Sequence, residues 1–226
     1  MPIDGIFGDP VIHKDAFISR HAIIIGKVVI DQDVMVAPGA ILRADEGAPF
    51  HVCKGVNIQD MVNFHGLLDQ YVEVLGKRYS IYIDSHSSIT HGATVHGPAY
   101  IGKKSFLGFG SKVHNSQIGR NCFIDGDTFI KNSTIAEYCH IGAKVLISGV
   151  VIERERYVAD GMIVNCQKTA DALPMISKEQ AENDKAFNKH VVDMNKEKLC
   201  KLYHERRRLR EVERLLLKEQ KRLARK

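Results

Sequence analysis

Aliphatic residues recur every six positions along the first two-thirds of the chain. They fall at Ile12, Ile18, Ile24, Ile30, Val36 and Leu42, then at Val52, Ile58 and Phe64, then at Ile83, Ile89, Val95, Ile101, Leu107 and Val113. After a one-residue deletion come Ile118, Ile124 and Ile130, and after another come Ile135, Ile141 and Ile147. A helix needs apolar spacing near 3.6 and an amphipathic strand spacing near 2. A period of six fits neither, but it fits a hexapeptide β-helix, in which each hexapeptide forms one face of a three-sided coil. Eighteen residues then complete a rung, and rungs stack at strand spacing, ~4.8 Å. The inward aliphatics become one continuous core.

Two segments interrupt the period, Arg43 to His51 and His65 to Tyr82. Both leave after the third face of a rung, so both loops emerge at the same corner. Loops on a rigid scaffold are where sites tend to lie. Past the coil, YVADGMIV still reads as strand, and Leu173-Pro174 breaks the pattern. From Ser177 to Lys226 the sequence is helical, without proline or glycine. The expected domains are therefore a β-helix over 1–172 and a C-terminal helix over 173–226.

Stacking the rungs across the second loop pairs Val52 with Ile83, Ile58 with Ile89 and Phe64 with Val95. His65 follows Phe64 and His96 follows Val95, so these histidines stack about 4.8 Å apart at the backbone. Two nitrogens on one tetrahedral zinc lie roughly 3.4 Å apart, so small rotamer changes let the pair share a metal. The column extends down to Arg43 and up to His114. His91 follows Ile89 by two, on another face, above Asp60. It can join the His65/His96 metal only from a neighbouring chain. On columns alone, a metal site and a polar ladder remain equal readings.

The 226 residues carry a net charge of +5, but the sign is unevenly spread. Lys196 to Lys226 holds 13 Lys/Arg against 5 Glu, which leaves the remainder mildly acidic. The five cysteines form no CxxC pair, so reduced, mostly buried thiols are expected rather than a disulfide framework. No leader segment and no membrane-length apolar run is visible, which points to a soluble, cytoplasmic protein.

RADEGAPF, NIQDMVNFHG and SITHGATVHGPAYIG resemble the γ-class carbonic anhydrases, and in particular the anhydrase-like domain of the carboxysomal scaffold protein. The resemblance spans roughly Gly8 to Leu199. It implies a left-handed coil, a homotrimer, and one zinc (iron or cobalt in some members) per subunit interface. His65 and His96 would come from one subunit and His91 from its neighbour. It further implies an Arg43–Asp60 salt bridge across the interface, with Arg43 and Asp45 holding that contact. Gln59 would hydrogen-bond the metal-bound hydroxide, and Asn195 would orient substrate. Three neutral imidazoles leave an open coordination position, and the metal lowers the pKa of its water toward ~7, so carbon dioxide is hydrated to bicarbonate. The chain departs from the family at the proton shuttle. Leu68 stands where the archetype has glutamate, with Asp69 adjacent and Glu46 at a second acidic position, and Asp193 replaces a tyrosine.

The departures keep open a second class of function, a catalytically silent trimer serving assembly. A hexapeptide acyltransferase is a third reading, weakened because its single histidine base needs no three-histidine metal. The basic tail repeats leucine every seven residues, at Leu202, Leu209, Leu216 and Leu223. One long helix, packed along the coil at first and then solvated, is the leading reading. A three-stranded coiled coil is another. An acidic protein partner is a third, with neither nucleic acid nor membrane expected.

Overall fold

The computed structural model describes the backbone of residues 8–223 and, outside 198–204, 206–207, 210, 219 and 221–223, their side chains. The chain winds as a left-handed parallel β-solenoid followed by a long helix. The second face is an eight-stranded parallel sheet running from Phe17–Ile18 to Tyr157–Val158. The first and third faces merge into one sheet of 14 strands, because Thr94–Ile101 and Lys112–Ile118 run on across a corner.

The hexapeptide positions point inward as their period requires. On the first face Ile30, Val52, Ile83, Ile101, Ile118, Ile135 and Ile152 stand in register on successive rungs. None is more than 1% exposed. Each such burial is worth about 1.5–3 kcal/mol, so this stack and its two counterparts dominate cohesion. Three rungs are one residue short at the same corner. Asn115 (φ 45°), Asn132 (φ 50°) and Gly149 (φ 72°) turn it in the left-handed region, which asparagine and glycine tolerate best. The third of these steps, Ile147 to Ile152, carries the coil into a further rung through Val151–Ile152, Tyr157–Val158 and Ile163–Val164.

The loops are shorter than the aliphatic period alone suggests. Phe50–Val52 and Ile81–Ile83 are already strands, with Phe50 fully buried, so His51 and Tyr82 belong to the coil wall. The second loop folds into an antiparallel hairpin, Val72–Val74 with Lys77–Tyr79. The two loops touch: a side chain added at Gly47 would lie 2.2 Å from the Leu67 carbonyl.

Above the last rung a short helix, α1 (Gln167–Asp171), closes the core with Ala170 and, just beyond it, Leu173. Helix α2 (Lys178–Met194) starts at Ser177, whose hydroxyl accepts the Gln180 N–H at 3.1 Å. It returns down the second face, antiparallel to the winding. His140 pairs with Asp184 at 2.9 Å, both buried. Phe187 meets Phe106 and Phe123 edge-on. Asn188 donates to the His86 and Lys104 carbonyls. A π-helical turn, Asn195–Cys200, leads into α3 (Lys201–Leu223). Lys196 in that turn reaches Asp33 on the second rung, 3.2 Å away.

In α3, Leu209, Val212, Leu215, Leu216 and Leu217 are exposed, so this chain leaves them uncovered. Leu202 and Leu223 of the leucine repeat, with Arg206 and Glu219, lie outside the described side chains. No helix among the described residues is long and apolar enough to cross a membrane.

Candidate metal centre

On the third face the ladder places Arg43, His65, His96, His114 and Lys131 in one outward column, rung above rung. His65 Nδ1 and His96 Nε2 stand 3.2 Å apart, close to the roughly 3.4 Å edge of a tetrahedral zinc site. The His114 ring packs edge-on against His96, with centroids 4.7 Å apart. Burial first, and then His96 and Lys131, push His114 below the ordinary histidine value. Cations thus close both ends of the column, and His114 is held toward the neutral imidazole.

His65 carries a further mark. Its Nε2 is buried with no hydrogen-bond partner, a state that costs about 1–3 kcal/mol for a polar group. The nearest acid is Glu46 of the first loop, with Oε1 3.8 Å away. The nitrogen at ligand spacing is Nδ1 and the orphan is Nε2, so the two marks fall on different atoms of the His65 ring, and both residues are the donors zinc takes.

The other predicted residues fall in four places. Asp45 Oδ2 accepts from Arg43 Nη2 (2.8 Å) and Nε (3.2 Å), while its Oδ1 is buried and unpartnered. Burial raises the Asp45 carboxyl, but the Arg43 hydrogen bond, its own backbone, and the charges of Arg43 and His65 together hold it below the usual range. Within one chain Arg43 therefore pairs with Asp45, and Asp60 pairs with His91, at 3.0 Å. His91 and Asp60 are about half exposed, at the corner between the second and third faces, with buried Gln59 beside Asp60. Leu68 and Asp69 are exposed on the second loop. Asn195 is not the exposed helical residue its surroundings suggest. It is 4% exposed, and its Nδ2 donates to the Val191 carbonyl at 2.8 Å.

One cluster escaped the sequence reading. Among the described residues, Asp31, His51 and Cys53 form a group whose ligand atoms all lie within 4.8 Å of one another. His51 and Cys53 flank inward Val52, so strand alternation turns both outward. Reading His51 as loop hid that alternation.

Sequence comparison places this geometry among known proteins. The chain is 36% identical over 196 residues to a carbonic anhydrase from Methanosarcina thermophila, covering 82% of this chain and 72% of that one. It is 38% identical over 187 residues to the carboxysome assembly protein CcmM of Nostoc sp.. That match takes in 81% of this chain but only 30% of the larger protein. A family profile described as the GMPPB C-terminal domain matches residues 78–183. A hexapeptide transferase family protein from Anaplasma phagocytophilum has the same fold, with TM-score 0.51 at 18% identity over 82% of this chain and 90% of that one. From the extent of its match to the Methanosarcina enzyme, the chain belongs to the γ-class carbonic anhydrase family.

Proposed function

We propose that the protein hydrates carbon dioxide to bicarbonate and a proton, as a homotrimer with one metal ion at each subunit interface. The observation that carries the reading is the stacked His65–His96 pair, Nδ1 to Nε2 at 3.2 Å, whose other His65 nitrogen, Nε2, is buried and unpartnered. His65 and His96 of one subunit and His91 of the next would hold the ion. Zinc is the expected ion, with iron or cobalt as substitutes. When bound, such a metal would lower the pKa of its water to about 7, which provides a nucleophile at neutral pH.

The chain's own residues would do the rest. His91 keeps Asp60 on one ring nitrogen, which fixes its orientation as outer-shell carboxylates do for metal-binding histidines. Gln59, on the same corner, would orient the nucleophile by a hydrogen bond from the neighbouring subunit. Arg43, Asp45 and Asp60 would hold the subunits together, with Arg43 exchanging part of its intrachain pairing for Asp60 across the contact. Glu46, whose Oε1 lies 3.8 Å from His65 Nε2, would carry the proton away, with exposed Asp69 as the next station. One N–H of the Asn195 amide is taken by the Val191 carbonyl, so any part it plays in orienting substrate falls to its other N–H and its oxygen. The free, mostly buried cysteines suit a reducing, cytoplasmic compartment.

The test is a stopped-flow hydration assay on the purified protein, with metal analysis and light scattering on the same sample. Activity in a metal-loaded trimer is expected. A loaded trimer without activity would overturn the enzymatic reading in favour of an assembly role. A stable monomer holding a full complement of metal would overturn the shared site.

A further inference from the structure

We infer that Asp31, His51 and Cys53 form a second binding site, complete within one chain, for a divalent ion of the zinc type. The site follows from the winding. His51 lies in the strand Phe50–Val52 and Cys53 is the corner residue directly after it, so the two flank inward Val52 and their ligand atoms come together outside it. Asp31 stands one rung below: its backbone N–H donates to Val52, as that of Cys53 donates to Ile83 on the rung above. Asp31 and Cys53 are therefore successive steps of one corner column, and His51 closes the triangle. His51 Nε2 lies 3.2 Å from Asp31 Oδ1, again close to the spacing of two ligands on one ion.

The surroundings favour a cation. Asp84 is the next step of the corner column after Cys53. Among the described residues no Lys or Arg pairs with Asp31 or Asp84, and the only ion-pair partner of Asp31 is His51 itself. The Asp31 and Asp84 carboxylates put negative charge near the buried Cys53 thiol. A bound ion inverts that field and ionises the thiol. Cys53 is only 7% exposed, beneath a tilted aromatic group of His51, Tyr79 and Tyr82. Asp31 and His51 keep an edge to solvent, which leaves room for a fourth ligand from water. One thiolate, one imidazole and one carboxylate suit zinc and cobalt better than magnesium or calcium, which take oxygen ligands alone.

This site is independent of the carbonic anhydrase reading, and cobalt separates the two. Thiolate ligation gives Co²⁺ an intense near-ultraviolet charge-transfer band, whereas an all-histidine site gives none. Titration of the metal-free protein with cobalt should raise that band. Cys53→Ser should abolish it and lower bound cobalt by a single equivalent, and His91→Ala should leave it intact. Asp31→Asn, at a partly exposed position that tolerates change, should weaken cobalt binding read from the band by at least about tenfold. Absence of the band in the parent protein, or its survival in Cys53→Ser, would overturn the site. If Cys53→Ser does not fold, unchanged cobalt affinity in Asp31→Asn overturns it instead.

Discussion

The coil carries two polar ladders that its winding builds in the same way and its charges set apart. On the third face, His65, His96 and His114 are bracketed by Arg43 and Lys131, and two imidazole nitrogens converge, but among the described residues no third side chain of the same chain completes a close ligand group with them. On the first face, His51 and Cys53 sit among Asp31 and Asp84 with no Lys or Arg paired to those carboxylates. The first ladder supplies nitrogen donors and, on the proposed reading, is completed by another subunit. The second supplies mixed donors and is complete alone. A repeating scaffold fixes spacing, then, and the residues at the ends of each column decide what the spacing is used for.

The sharpest break in the comparison is reciprocal substitution. His96→Ala should cost more than about 100-fold in carbon dioxide hydration, since even outer-shell partners of a metal cost 10–100-fold. It should leave the first-face cobalt band unchanged. Cys53→Ser should do the reverse, with hydration intact, and equal loss of hydration in both variants would merge the two ladders into one unit. Leu68→Glu tests the proton path of the third-face site. A correctly placed acid–base group contributes ~10²–10⁴-fold, so turnover at low buffer should rise up to about 100-fold while kcat/KM stays nearly constant. Small buffers such as imidazole should close the gap by shuttling the proton themselves. Turnover in the parent that is already high and indifferent to buffer would show that Glu46 or Asp69 suffices.

A third, smaller effect concerns neither ladder. Asp184→Ala leaves buried His140 without its partner and should destabilise the protein by about 1–3 kcal/mol, measured by urea unfolding. Both metal sites should keep their ions, because α2 binds the second face. The smallest effect is with pH. Burial, and then Lys103, Lys196, Lys104 and Lys54, hold His86 below its ordinary value near 6.5. Below that value the unfolded chain binds the proton more readily than the native one. The His86 contribution is therefore present above about pH 6.5 and is lost as pH falls through its folded value. His86→Gln should flatten that slope in the urea midpoint.

The columns were readable in the sequence because inward Val, Ile and Leu fix register by period alone. Once Phe64 faces Val95, His65 must face His96. Three things were not readable, each for a physical reason. The step from Ile147 to Ile152 is short, so an exact period of six stops at Ile147 and leaves the last rung as strand without a register, although the same slip at Val113 and Ile130 was a usable precedent. Phe50 and Ile81 are core residues that precede the hexapeptide positions, so counting from Val52 and Ile83 leaves His51 and Tyr82 in loops they do not occupy. Nothing in the helical pattern around Asn195, between Met194 and charged Lys196 and Glu197, marks it as buried. Its burial depends on α2 folding back along the second face, which no local pattern encodes.

That fold-back also gives the molecule a direction. Because α2 descends while the coil ascends, the chain completes its barrel at the top and delivers its cationic extension at the bottom, where Lys196 is moored to Asp33. A threefold assembly of such subunits would be a vectorial object, with one end closed by three short helices and the other issuing three positive arms. Anything recruited through those arms would meet the assembly at the N-terminal rungs, and three arms leaving one end would grip a multivalent acidic surface far more tightly than any single arm.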